Sequence, residues 1–107
     1  MVDDYELVCG AGPDPLAPLL EFLPHARDIG LHVVIARRAG GAARALFNSV
    51  PTTMRELGCA GLLMSAAPDE GALLGVARPT RLPPGRAVLT TGGRGGERVQ
   101  IAWTAEP

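Results

Sequence analysis

GLHVVIARR, residues 30–38, decides how the rest of the chain is read. Leu31, His32, Val33, Val34, Ile35 and Ala36 form a short, mostly β-branched apolar run, opened by a glycine and closed by two arginines. The run lacks the polar alternation of a strand with one wet side, so it predicts a strand covered on both faces. The residues before and after it carry helical signals. Helix, covered strand, helix is the order of an α/β fold with a mostly parallel sheet. Ligands of such sheets sit beyond the carboxyl ends of the strands, where Arg37 and Arg38 fall.

Working outward, the 107 residues suffice for one small domain. At 47% hydrophobic and 20% charged the composition is that of a globular chain, and no apolar run approaches the ~20 residues of a membrane span. The acidic start, Met1-Val2-Asp3-Asp4, reads without a signal peptide. Cys9 and Cys59 are far apart and read as reduced thiols of a cytosolic protein. All ten basic residues are arginine, which excludes a Walker A lysine and a lysine Schiff base within these residues. A net charge of −1 disfavours a nucleic-acid groove, which needs a basic face.

Residues 5–9 are short enough to be strand or helical turn. Asp14-Pro15 is a helix start: Asp14 can accept from free N–H groups and Pro15 suits the first helical position. Leu16, Leu19, Leu20 and Leu23 follow as an apolar stripe. Pro24 is expected to interrupt that helix, and Gly30 to end it. Residues 42–50 read as helix, Pro51 as a break, 52–57 as a restart and Gly58 as the stop. Leu46, Val50, Met54 and Leu57 are expected on one buried face. Residues 61–65 read as a second buried strand and 68–71 as a turn. Residues 86–91 and 98–103 read as two strands around the glycine-rich 92–96, with Val99, Ile101 and Trp103 on the covered side of the second.

Two features carry candidate chemistry. Adjacent aspartates at a strand end, Asp3-Asp4, suit a magnesium–nucleotide site, one carboxylate holding Mg²⁺ or its waters and the other orienting the attacking water; a solvated terminal acid pair is the plain alternative. Arg37-Arg38 suit phosphate oxygens, or else solvent or a pairing with Asp28. His25 and His32 lack a metal-ligand spacing, and His32 inside an apolar run reads as a core residue.

The series VDDYELV (2–8), PLAPLLEFLPHARDIGLHVVIARR (15–38), MRELG (54–58), GLLMS (61–65), PDEGALLG (68–75), PPGR (83–86) and VQIAW (99–103) resembles, in order, the C-terminal part of an FtsK/SpoIIIE-type P-loop ATPase domain. It is most similar to the last ATPase domain of the membrane ATPase of actinobacterial type VII secretion systems, the EccC family. The resemblance implies an incomplete RecA-like three-layer α/β sandwich with a C-terminal hairpin, 1–107 being the C-terminal half of one domain that starts at Walker B. It implies that Asp3 binds Mg²⁺, that Asp4 stands at the catalytic acid, and that Arg38 stands at the sensor position. Arg37 and Arg86 would contact the nucleotide.

With no P-loop in these residues, the expectation is an ATP–Mg half-site that does not hydrolyse ATP by itself. The partners implied are an upstream ATPase polypeptide or neighbouring ATPase domain and the signal helix of a secreted substrate. The implied location is cytoplasmic, at the inner face of the membrane. The other readings are a non-catalytic module that docks such a signal helix, a DNA-translocating FtsK fragment, and a non-functional remnant.

Overall fold

The computed structural model describes residues 1–10, 12–41, 49–74, 77–92 and 95–106. Helix α1, Tyr5–Cys9, follows the acids directly and buries Tyr5 and Cys9. Its first turn is closed by the carbonyl of Asp4, which accepts from the N–H groups of Leu7 and Val8.

The leucine stripe after Asp14 does not form one helix. It is broken into two 3-10 turns, Ala17–Leu19 and Leu23–His25, followed by the short helix α2, Ala26–Ile29. The cause is Pro18 and Pro24, each of which opens a new 3-10 turn because it cannot donate to the preceding one. Asp14 does start the segment, its Oδ1 accepting from Leu16 N–H at 2.9 Å. Gly30, at φ 71, ends α2.

Residues 31–36 are less of a strand than their apolar character predicts. One parallel bridge joins Ile35 to Val2. Val2 N–H donates to the carbonyl of Val34 at 2.8 Å, Ala36 N–H to that of Val2 at 2.9 Å, and Tyr5 N–H to that of Ala36 at 3.0 Å. The expected cover on both faces is absent: His32 is exposed and Val34 is 54% exposed. An apolar run records which residues favour burial and not what is there to bury them.

The stretch 42–48 lies outside the described residues, and with it Leu46 and most of the expected 42–50 helix. Helix α3, Ser49–Glu56, runs through Pro51, which was expected to break it. Counted from Ser49, Pro51 sits in the first turn, where a missing N–H removes no intrahelical bond. Val50 is fully buried, whereas Leu57 is exposed, so Val50, Met54 and Leu57 do not share one covered face.

The C-terminus of α3 is a Schellman motif. Cys59 N–H donates to the carbonyl of Met54 and Gly58 N–H to that of Arg55, with Gly58 at φ 78. Gly58→Ala is expected to lower stability by about 1 kcal/mol, because a Cβ disfavours this left-handed position. A shifted urea midpoint at unchanged slope checks it.

The one extended sheet among the described residues is antiparallel, not parallel. Its order is β1 (Gly61–Leu63), β2 (Arg86–Thr90), β3 (Glu97–Gln100), with Leu62 opposite Leu89 and Val88 opposite Arg98. The β2–β3 hairpin is as expected, though Gly93 and Arg94 at its tip lie outside the described residues.

Leu63 and Leu73 form a buried cluster under Leu74, Ala77 and Val88, while Leu62 and Met64 stay exposed. Pairing stops at Gln100, so Ile101 and Trp103 are exposed instead of lining a covered face, Trp103 at 86%. Ile101 is still tied back, its N–H donating to the carbonyl of Gly85 at 2.8 Å. The hydroxyl of Ser65 serves the fold by accepting from Leu82 N–H.

Candidate functional site

The bridge between Val2 and Ile35 brings two candidate segments to one edge. Asp3 and Asp4 follow Val2 directly, and Arg37 and Arg38 follow the carboxyl end of residues 31–36. Asp4 has φ 47 and ψ 47, the one described residue other than glycine at positive φ. A short polar side chain tolerates this conformation better than most, and here the Asp3 carboxylate accepts from Asp4 N–H at 2.9 Å. The two carboxylates thus sit on a tight turn between the bridge and α1, both exposed.

The two arginines are used differently. Arg37 folds onto its own turn, Nε donating to the carbonyl of Arg38 at 2.9 Å and Nη2 to that of Gly40 at 3.4 Å. Arg38 meets Glu6 of α1 and not Asp28. Glu6 Oε1 accepts from Arg38 N–H at 3.3 Å and lies 3.8 Å from Arg38 Nε. The rest of the Arg38 side chain reaches solvent, being 81% exposed. The Glu6 carboxyl is held below the usual carboxylate range, first by its own backbone N–H, against partial burial, then by Arg38 N–H and the charges of Arg37 and Arg38.

Beneath this edge, the Tyr5 hydroxyl donates to Asp14 Oδ2 and ties α1 to the turn that opens the proline-rich segment. Burial first, then the Asp14 carboxylate, pushes the phenol well above its ordinary range.

Arg86 is not brought to this edge. It lies on β2, where its Nε donates to Gln100 Oε1 at 3.3 Å. Arg86, Arg98, Val99 and Gln100 border a shallow dent of about 220 Å³ on the hairpin. Glu6 and Tyr5 escaped the motif reading because their partners lie 32 and 9 positions on, at no helical or strand spacing.

Two adjacent carboxylates suit a Mg²⁺ that keeps most of its water and takes phosphate oxygens as further ligands. They do not make a closed cage, and no cluster of three or more His, Cys, Asp or Glu among the described residues could hold a metal. Asp3 and Asp4 are therefore a fit for a shared nucleotide–metal site and not for a protein-only one.

A second concave feature lies along the apolar run. Leu23, Leu31, Val34, Met54, Leu57 and Cys59 are among the residues lining an open, mostly apolar groove of about 250 Å³. His32 borders it as well, and so is a groove residue, not a core one. No described helix is long and apolar enough to cross a membrane. Cys9 and Cys59 are free thiols, Cys9 buried and Cys59 exposed.

No family model matches the chain. Across 107 residues it is 59% identical to the ESX-4 secretion system protein EccC4 of Mycobacterium tuberculosis (strain ATCC 25618 / H37Rv), covering all of this chain and 9% of that protein. The cytoplasmic domain of the Thermomonospora curvata type VII secretion ATPase EccC matches 98% of the chain at a TM-score of 0.89 and 46% identity, over 12% of its own length. A structure of Thermomonospora curvata EccC (ATPases 2 and 3) in complex with a signal sequence peptide matches equally well, with 98% of this chain and 19% of that one covered. The chain thus spans less than a fifth of each of these relatives.

Proposed function

We propose, from the premise that this chain belongs to the EccC family of type VII secretion ATPases, that it supplies the Walker B side of an ATP–Mg site. In this reading residues 1–107 are the C-terminal half of one ATPase domain. Asp3 holds Mg²⁺ through its water shell, Asp4 orients the attacking water, and Arg38 meets phosphate oxygens. The observation that carries the reading is the Val2–Ile35 bridge, which gives the acid turn and the arginine turn a common edge. Arg37 is then a brace of its own turn and not a ligand contact, because its guanidinium is taken up by two backbone carbonyls.

Bound Mg–ATP would supply the phosphoryl group and the metal. The chain's own residues hold the metal's waters, point one carboxylate at the nucleophile and balance charge. A backbone cradle for the β- and γ-phosphates is not among these residues, since no lysine and no GxxxxGK[ST] occurs in them. The chain by itself is expected to show no ATP turnover above buffer. A turnover assay checks this, and activity that disappears in Asp4→Asn would refute it. Such a half-site completes only with an ATPase polypeptide carrying the P-loop, at the cytoplasmic face of a secretion complex.

A second reading, docking of a secreted substrate's signal helix, is favoured by the apolar groove. It is also favoured by the relative solved with a signal sequence peptide. An amphipathic helix presents its i, i+3, i+4 apolar residues to such a groove. Titration with an amphipathic signal peptide is expected to perturb Leu57 and Val34, and Leu57→Arg to abolish the response. No response in the unaltered chain would end this reading. The DNA-translocating branch is disfavoured by the balanced charge, and salt-dependent DNA binding would revive it.

A further inference from the structure

Glu6 lies within the stretch VDDYELV, where the motif reading gives it no role, yet it ties the two halves of the nucleotide edge together. It belongs to α1, which begins right after the acid turn. Its carboxylate reaches across to the arginine turn and takes Arg38 twice, at the backbone N–H and near Nε. This is the one ion pair among the described residues, and it is half-sheltered, Glu6 being 23% exposed. The ion pair involves Nε, and the Arg38 side chain is otherwise largely exposed, so its guanidinium is open to an oxyanion from solvent.

The second carboxylate oxygen, Oε2, is buried without a partner. A buried, charged acceptor left unpaired is costly unless the group is retained for another reason. The surroundings offer that reason. The other oxygen, Oε1, faces the arginine turn, accepting from Arg38 N–H at 3.3 Å and lying 3.8 Å from Arg38 Nε, so the carboxylate is retained as a tether of that turn.

We propose that Glu6 is a positioning residue that acts through Arg38, holding its guanidinium toward a phosphate oxyanion above the Asp3–Asp4 turn. The proposal rests on the nucleotide reading given above and adds a residue that the reading does not contain. Glu6 does not touch the nucleotide or the metal. It restricts the arginine that does, so that less freedom is lost on binding. Arg37 cannot substitute, being committed to the carbonyls of Arg38 and Gly40.

The test is a double-mutant cycle on the full 107-residue chain combined with an ATPase polypeptide carrying the P-loop. Mg–ADP is the probe, calorimetric affinity the readout, and the P-loop polypeptide alone the baseline. Glu6→Ala is expected to weaken Mg–ADP about tenfold, the size of one charge-assisted hydrogen bond. Arg38→Gln should weaken it by a similar factor, and Glu6→Ala should add nothing in the Arg38→Gln background. Glu6→Gln keeps an acceptor for Arg38 N–H and should recover most of the loss, which guards against a variant that fails simply by misfolding.

If Glu6→Ala leaves the affinity unchanged, or if the two losses multiply, the residue does not act through Arg38 and the proposal is overturned. If adding the unaltered chain to the P-loop polypeptide does not tighten Mg–ADP binding, the nucleotide reading fails and the proposal fails with it. The Arg38 Nε–H resonance separates the two failures. A signal that moves in Glu6→Gln with no Mg–ADP bound locates the error in the nucleotide reading. A signal that ignores Glu6 locates it in the tether.

Discussion

Replacing Tyr5 by alanine is expected to cost about 3–5 kcal/mol, a large part of the 5–15 kcal/mol typical of a folded domain. Tyr5 is fully buried, and few side chains of the described residues share that state. Its ring fills the space under the acid turn, and its hydroxyl binds the Asp14 carboxylate. Tyr5→Phe separates the two contributions. It keeps the ring and removes the donor, leaving Asp14 Oδ2 without its partner, and should cost roughly 1.5–3 kcal/mol.

The same residue predicts an alkaline limit. The folded phenol titrates well above the ordinary value of about 10, because burial and the adjacent carboxylate oppose the phenolate. The neutral form is therefore favoured by folding. Its contribution is fully present below pH ~10 and is lost as pH rises beyond that, when the unfolded chain ionises and the folded one does not. Tyr5 is the sole tyrosine, so phenolate absorbance reports it alone. The folded chain should show no phenolate until unfolding begins. Ordinary titration near pH 10 with the fold intact would contradict this, as would a Tyr5→Phe variant with an equally steep alkaline loss of stability.

Local punctuation was legible in the sequence. Asp14 opens its segment, Gly30 and Gly58 close theirs at positive φ, and the glycine-rich 92–96 joins two paired strands, because each depends on residues within one turn. The leucine stripe was legible as apolar but not as 3-10 turns, since the prolines outweigh the periodicity. Pro51 misled in the opposite direction, because its effect depends on where the helix is counted from. The common edge of the acids and arginines followed from the family resemblance, not from spacing. Glu6 followed from neither, as its partner is 32 positions away. Arg86 looked like a nucleotide contact in the order of motifs, and the register of β2 against β3 gives it Gln100 instead.

The largest departure from expectation, the uncovered apolar run, leads to the last prediction: at micromolar concentration the chain associates. A compact globular chain of 11.1 kDa exposes roughly 5,700 Å², whereas this one exposes 7623 Å². The excess, roughly 2,000 Å², is in the range buried by stable protein interfaces. Much of it is apolar: Val34, Leu57, Leu62, Met64, Ile101 and Trp103 are each at least two-fifths exposed. At about 25 cal/mol per Å², covering a third of the excess with apolar surface would favour association by roughly 15 kcal/mol before the costs of lost free motion, side-chain ordering and polar desolvation, which offset most of it. Of these residues, Val34 and Leu57 line one groove, and apolar surface gathered in this way marks an interaction site.

Sedimentation is expected to give a mass above 11.1 kDa that rises with concentration. Leu57→Arg should shift it toward the monomer, because a guanidinium at the groove cannot be covered without a partner charge. An amphipathic signal peptide that occupies the groove should compete with this association, which ties the prediction to the docking reading by an independent measurement. A concentration-independent monomer that unfolds in one cooperative step would refute the prediction. It would also mean that the apolar face along residues 31–36 is stable in water, and that neither an ATPase half nor a signal helix is needed to cover it.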